Sequence, residues 1–301
     1  MLHLQVPLNG YEANEIISDT NETNDLQGEV ADLPSLLVKN YLRMVIFALS
    51  RIRIERNSLR AFLFLLAAPL VYLLGPKDLM ITQFGFFSVS SRYDVRSIVY
   101  GCFKASFAHL YNLRRLLPSR AHLKLVVDVG ANTGDFSLGI RHLSEDIVAI
   151  EPSAHYAKML RANLILNDVK NVSVLRVALH DKSEPVHLNG HRPNLYVESG
   201  DYGTETVAGQ TLDSLLSNAS RIDVVKVDAQ GSEVRILEGM SSLIARNIVS
   251  LIAVEVHEKT GIASKDIIAF MQKLQYRCLF EDKYLFHQPH FYFVPSQQLS
   301  R

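Results

Sequence analysis

Two rhythms of apolar residues run through the last two thirds of the chain. Short aliphatic runs recur: KLVVDV (124–129), DIVAIE (146–151), VSVLRVAL (172–179), IDVVKVD (222–228) and IVSLIAVEVH (248–257). Between them apolar residues return every three or four positions: Phe136, Ile140, Leu143; Ala157, Leu160, Leu164; Val234, Leu237, Met240, Ile244; Ile267, Phe270, Met271, Leu274. The second spacing marks one face of a helix, and the continuous runs mark strands buried on both faces. Ser153 stands where a helix would start and predicts its N-cap. Residues 94–118 predict one or two helices ending at Pro118, and TLDSLLSN (211–218) a short one. Residues 181–208 break the alternation with Pro, Gly and Asn, which predicts a β-hairpin or loop insertion. YRCLFE (276–281) and HFYFV (290–294) have no helix between them and predict an antiparallel pair. Strands alternating with helices give a mostly parallel sheet covered on both faces.

The first 80 residues follow neither rhythm. Residues 1–38 carry seven acids (Glu12, Glu15, Asp19, Glu22, Asp25, Glu29, Asp32) and no Lys or Arg, and predict a mostly disordered tail. A secretory signal would begin with basic residues and an apolar core, so this segment is not read as one. Residues 39–60 reverse the charge, with Lys39, Arg43, Arg51, Arg53, Arg56 and Arg60 against Glu55 alone. AFLFLLAAPLVYLLGP (61–76) follows without a charge, but it is shorter than the ~20 apolar residues of a spanning helix and contains Pro69. Two readings stay open: a helix buried against the main domain, or one lying in a membrane surface with the upstream arginines facing anionic lipid. The expected organisation is therefore 1–38 acidic tail, 39–80 basic then hydrophobic helical segment, and 81–301 main domain.

Charge narrows the partners. The 31 Lys and Arg balance the 31 Asp and Glu, and a neutral chain has no basic field for nucleic acid. Cys102 and Cys278 make neither a disulfide framework nor a metal spacing and fit a reducing, cytoplasmic setting, with membrane association left open.

In open α/β sheets ligands sit beyond the carboxyl ends of the strands. Those ends read Asp128 and a glycine turn, Glu151-Pro152, Ala178-Leu179-His180-Asp181, Asp228-Ala229-Gln230-Gly231, and Glu255-Val256-His257. These ends carry acids, which are costly to bury unless paired or used. Glu151 follows the second strand, where a carboxylate accepts hydrogen bonds from both ribose hydroxyls of an adenosine. The turn VVDVGANTGDF (126–136) lacks the third glycine of a dinucleotide site, and no Gly-Lys-Ser/Thr follows as in a P-loop. An acid ahead of the first glycine is awkward beside a pyrophosphate but welcome beside a cationic ligand. Together these favour S-adenosylmethionine over a nicotinamide cofactor. Asn132 takes the middle glycine's place, and Asn tolerates a left-handed backbone best after Gly.

From about residue 81 the chain resembles the FkbM family of S-adenosylmethionine-dependent methyltransferases. The resemblance rests on VVDVGANTGDFSL, VAIEPSAHYAKMLRANLILNDVKNVSVLRVALHD, QTLDSLL, IDVVKVDAQGSEVRILEGM and LIAVEVHE, in this order. It implies the α/β class I methyltransferase fold, Rossmann-like, with a seven-stranded mostly parallel sheet and an antiparallel C-terminal hairpin, here behind a helical or disordered N-terminal extension. It also implies methyl transfer, commonly to a hydroxyl of a sugar or small metabolite. By position, Asp128, Gly130, Asn132, Thr133 and Gly134 would form the cofactor turn, Glu151 would bind the ribose, and the Val177-Ala178 region would border adenine. KVDAQGSE carries Gln230 where the family signature more often has an acid.

A hydroxyl acceptor loses its proton as it attacks, so a base is expected among His257, Asp228, Glu233 and Glu255. His257 has the side-chain pKa best placed for that work near neutral pH. Glu255 would orient His257 only if the chain bends between them. His187 and His191 are read as hairpin surface and no metal is expected. The expected partner is a small-molecule, glycan or glycolipid acceptor, with no nucleic acid and with membrane contact through residues 39–76 left open. The readings that compete are a membrane-docked or partner-binding module that keeps the fold without turnover, and a nicotinamide oxidoreductase.

Overall fold

A computed structural model describes residues 44–46, 48–49, 56–74, 78–89, 92–117, 122–189, 196–198, 205–258, 263–282 and 288–299. The acidic segment 1–38, most of the basic stretch and His191 lie outside the described residues.

The aliphatic runs become β3 (Leu123–Val129), β4 (Ser144–Ile150), β5 (Val172–Leu175), β11 (Ile222–Val227) and β12 (Val249–Glu255), all mutually parallel neighbours. The closing pair, β13 (Tyr276–Asp282) and β14 (His290–Pro295), is antiparallel, and β14 also runs antiparallel to β12. The order across the seven-stranded sheet is β13-β14-β12-β11-β3-β4-β5. Every residue of β11 and of β14 is buried, as strands covered on both faces require.

Helices supply the covers. α4 (Asp135–Ile140) leaves the first turn, and α5 (Ala154–Leu166) starts at Ser153, whose hydroxyl accepts the Tyr156 N–H. The stripe Val234–Ile244 forms two short helices rather than one, α7 (Glu233–Glu238) and α8 (Ser241–Ala245). The break is stabilised from elsewhere in the chain: the Asp213 carboxylate accepts the Ser242 and Leu243 N–H groups at the new N-terminus. Asp213 lies in the short helix α6 (Leu212–Leu215), and α9 (Ser264–Lys273) buries Ile267 and Met271.

The third aliphatic run departs from expectation. It is not one strand: β5 ends at Leu175, and β6 (Ala178–Leu179) leaves the sheet to pair with β10 (Gly209–Gln210). Arg176, at the break, forms an ion pair with Glu205. His180 and Asp181 therefore do not stand at the end of a central strand. Residues 181–208 contribute β7 (Val186–Asn189), β8 (Tyr196–Glu198) and β9 (Glu205–Val207), a small antiparallel sheet in the order β8-β7-β9.

Ahead of the sheet, α1 (Arg56–Leu74) carries Pro69 and turns Ala61, Leu65 and Ala68 inward. A hairpin that the sequence reading did not anticipate, β1 (Asp78–Thr82) with β2 (Gly85–Val89), packs Met80, Phe87 and Val89 against Leu160 and Leu164 of α5. The 94–118 segment is α2 (Arg92–Lys104) and α3 (Leu110–Leu116), joined by a π-helical turn at Ala105–His109. No helix among the described residues is long and apolar enough to cross a membrane.

Candidate active site

The turn after β3 is built from three left-handed residues, Gly130 (φ +71°), Asn132 (φ +49°) and Gly134 (φ +90°). Gly130 has a second reason to be glycine: a Cβ there would lie 1.9 Å from the Asp228 carbonyl oxygen, so the ends of β3 and β11 could not meet. Asn132 holds the left-handed conformation expected of it, and its Oδ1 accepts the Ser97 hydroxyl at 3.3 Å.

Asp128 has a different environment from the one its place before the glycine suggested. It is fully buried, and its cation is within the chain: Lys226, its register partner on the neighbouring β11, approaches Oδ1 to 3.0 Å, and the Ser137 hydroxyl donates to Oδ2 at 2.6 Å. Lys226 Nζ also donates to the Gly130 carbonyl at 3.0 Å, locking the turn to the sheet. Both oxygens of Asp128 are thus engaged without a ligand.

Glu151, just past β4, accepts the Asn132 N–H on Oε2 at 2.8 Å and the Ser153 N–H on Oε1 at 3.0 Å. Burial pushes its carboxyl up to about 7, against the pull of those two hydrogen bonds. Each oxygen keeps a second lone pair, the acceptor capacity that two ribose hydroxyls need. Thr133 Oγ1, in the same turn, is buried with no hydrogen-bond partner among the described residues. These donors and acceptors fit S-adenosylmethionine, with Glu151 and the 130–134 turn as the residues that would hold it. Ala178 is buried in a cluster with Val186, Leu188 and Val207, in the pair β6/β10 rather than at the rim of the main sheet.

Beside this turn, the ends of β11 and β12 gather the other candidates. His257 Nδ1 donates to Glu233 Oε1 at 2.6 Å, and the same oxygen accepts the Gly231 N–H at 3.0 Å. Glu233, at the start of α7, is therefore the group that orients His257; Glu255 is not. His257 Nε2 points to the opposite side, 3.7 Å from Asp228 Oδ1 and 3.9 Å from Glu255 Oε1. Burial would lower the His257 pKa, but the Glu233 hydrogen bond and the charges of Asp228 and Glu255 outweigh it and hold it above its usual value. Burial likewise opposes ionisation of Asp228, yet the charges of Lys104, Lys226 and His257 hold its pKa well below the ordinary range.

Several members of this cluster were not singled out in the sequence. Lys104 Nζ donates to Asp228 Oδ2 at 2.7 Å and to Glu255 Oε2 at 2.6 Å. His290 Nε2 donates to the same Glu255 oxygen at 3.1 Å, and the His109 ring stands edge-on to His290 at 4.9 Å. The available signals were a lone lysine in the apolar stretch YGCFKASFAH and a histidine opening the last strand. Two groups have ligand atoms close enough to share an ion, Asp228/Glu255/His257 and His109/Glu255/His290. In both, the Lys104 ammonium already lies on Glu255. His187 meets the Thr206 hydroxyl at 3.0 Å on the small sheet, outside either group.

A seven-stranded sheet with this order, its glycine-asparagine turn and its acid after the second strand define the class I methyltransferase fold. Among solved structures, the chain is similar to a putative RNA methyltransferase, PH1948, from Pyrococcus horikoshii (13% identity, 69% of this chain and 85% of that one, TM-score 0.37). It is also similar to TrmK of M. capricolum in complex with S-adenosyl-homocysteine (10%, 63% and 68%, 0.41). A third is a precorrin-6y C5,15-methyltransferase from Geobacter metallireducens (15%, 61% and 87%, 0.37). A search of curated proteins gives no match. The methyltransferase FkbM domain model matches residues 128–278, half of the chain, and the chain belongs to that family. S-adenosylmethionine is accordingly the methyl donor of this site.

Proposed function

We propose that the chain is an O-methyltransferase acting on a hydroxyl of a sugar, glycolipid or small metabolite, with His257 as the base. The observation that carries this reading is the 2.6 Å bond from His257 Nδ1 to Glu233, beside the cofactor turn. A proton on Nδ1 leaves the basic lone pair on Nε2. S-adenosylmethionine supplies an activated methyl group on a sulfonium. Held by Glu151 and the 130–134 turn, it would give that methyl group to the acceptor oxygen and leave as the neutral thioether, while the hydroxyl proton would pass to His257 Nε2. The carboxylate oxygens of Asp228 and Glu255 then face a charged imidazolium, which they stabilise. Alignment of acceptor and donor carries much of the remaining barrier. Incubation with labelled S-adenosylmethionine and candidate sugars, glycolipids and metabolites tests the reading. Label appearing only on nitrogen or carbon, in every active acceptor, would overturn it.

A second observation favours contact with an anionic bilayer. Leu59, Leu63 and Leu66 lie on one exposed face of α1, 47–56% accessible, beside the exposed Arg60 and after the basic run 39–60. An apolar stripe flanked by cations matches the headgroup region of such a membrane. Flotation with phosphatidylcholine vesicles, with and without phosphatidylserine, should show binding only to the anionic ones and its loss in Leu63→Glu. A dimer abolished by Leu63→Glu would assign the stripe to a second copy. Vesicle binding that appears only after deletion of residues 1–38 would assign it to the acidic segment.

A further inference from the structure

The two carboxylates that face His257 carry like charges on adjacent strand ends, Glu255 buried and Asp228 partly so. Asp228 follows β11 and Glu255 ends β12. Left alone, each would oppose the ionisation of the other, because a like charge nearby disfavours the charged form. A cation must keep them charged, and it comes from a part of the chain that precedes the family-matched segment.

We propose that Lys104 is a positioning residue for methyl transfer, a built-in cation that fixes Asp228 and Glu255 so that their second oxygens face His257 Nε2. The inference rests on the O-methyltransferase reading. Lys104 ends α2, is almost wholly buried, and bonds one oxygen of each acid. The opposite oxygens, Asp228 Oδ1 and Glu255 Oε1, have no hydrogen-bond partner among the described residues, so the contacts on the other side set where they point. For Asp228 that side is Lys104, since Lys226 lies 3.9 Å away and is held by Asp128. For Glu255 it is Lys104 together with His290.

The backbone delivers Lys104 by an unusual route. The π turn begins at the next residue, Ala105, and closes with the Leu110 N–H on the Ala105 carbonyl. Residues five apart on a regular α-helix point about 140° away from each other. The wider turn reduces that angle, and Lys104 and His109 both reach the surroundings of Glu255. Lys104 also explains why Asp228, Glu255 and His257 have the spacing of an ion site: the ammonium sits on the far oxygens of both acids, doing the neutralising that a divalent ion would otherwise do.

The test reads His257 directly. The groups facing it or its neighbours are Glu233 on α7, Asp228 and Lys226 from β11, Glu255 from β12, Lys104 and Tyr100 on α2, His109 on the π turn and His290 on β14. Removing only the Lys104 charge leaves two carboxylates less compensated beside Nε2. In the full chain with Lys104→Met, the His257 imidazole, followed by NMR, should titrate about 1 pH unit or more higher than in wild type. At neutral pH, methyl transfer should fall about 100-fold. S-adenosylmethionine affinity by calorimetry should change little, and added methylammonium should restore part of the rate with saturation. Lys104→Arg should keep the wild-type titration of His257, and Lys104→Gln replaces Met if that variant does not fold. A folded, cofactor-binding Met or Gln variant with an unmoved His257 titration and no amine rescue would overturn the proposal. The NMR arm decides this even if no hydroxyl acceptor is ever methylated, an outcome that would instead sink the O-methyltransferase reading.

Discussion

His257 and Glu233 are joined through Nδ1 and Oε1 at 2.6 Å, although 24 residues separate them. If His257 is the base proposed for it, held in one tautomer, the rate should rise with pH. Neutral imidazole accepts the proton, so the acidic limb of kcat should lie above the usual histidine value, because the bond to Glu233 and the nearby acids outweigh the effect of burial. Glu233→Gln should move that limb to lower pH while reducing the rate. His257→Asn should lower kcat about 10²–10⁴-fold and remove the limb. Neither should change the affinity for S-adenosylmethionine more than modestly. A kcat–pH profile across the three proteins checks this, and a limb that stays put in His257→Asn assigns it to another group.

Cofactor affinity should depend on pH through Glu151. Its carboxyl is pushed up to about 7 by burial, so it loses its charge as pH falls through that value. The protonated form is a poorer acceptor for ribose hydroxyls, and affinity should decline from pH 8 to pH 6. Stability should move the other way. The native state holds this proton more tightly than the unfolded chain, so the Glu151 contribution becomes less favourable as pH rises from its ordinary carboxylate range through about 7. Calorimetric titration at several pH values checks the first point, with Glu151→Ala expected to bind at least about 10-fold more weakly at pH 8. A pH-independent affinity in wild type would remove Glu151 from ribose binding.

These sites differ in how far the sequence revealed them. The parallel strands were legible because strands covered on both faces need unbroken aliphatic runs, and the left-handed Asn132 because few residue types occupy that conformation. The break after β5 was not, because its causes lie elsewhere: the pairing of β6 with β10, and the Arg176–Glu205 ion pair. The split between α7 and α8 depends in the same way on Asp213. The site followed this rule too. His257, Glu233, Asp228 and Glu255 stood out as polar residues next to strand ends, but which acid holds the imidazole is a tertiary fact. Lys104 had only the weak signal of a lone lysine in the apolar stretch YGCFKASFAH, and the π turn that places it has no sequence marker.

The turn offers a paired test of backbone and side-chain roles. Gly130→Ala adds a Cβ that would fall 1.9 Å from the Asp228 carbonyl at a φ of +71°, so both sterics and conformation oppose it. It should destabilise the fold by at least about 1–3 kcal/mol and disturb Asp228. Asn132→Gly keeps a residue suited to φ +49° and loses the side-chain bond to Ser97. It should leave thermal unfolding nearly unchanged and weaken S-adenosylmethionine binding. Equal affinity in Asn132→Gly would limit Asn132 to holding the backbone.

The pair Asp128–Lys226 should matter more to stability than to chemistry. Both groups are buried, and their 3.0 Å contact joins neighbouring strands at the base of the turn. Asp128→Ala removes the main compensation for a buried ammonium, whose other contacts are the Val129 and Gly130 carbonyls, the Phe136 ring and the more distant Asp228. Breaking a buried pair from one side costs about 3–5 kcal/mol. Replacing both partners, with Asp128→Leu and Lys226→Met, leaves no charge stranded and should recover part of that loss. Urea unfolding of the single and double variants checks this. If Asp128→Ala proves as stable as wild type but no longer binds S-adenosylmethionine, the carboxylate serves the ligand rather than Lys226, and the assignment of its charge to the sheet is wrong.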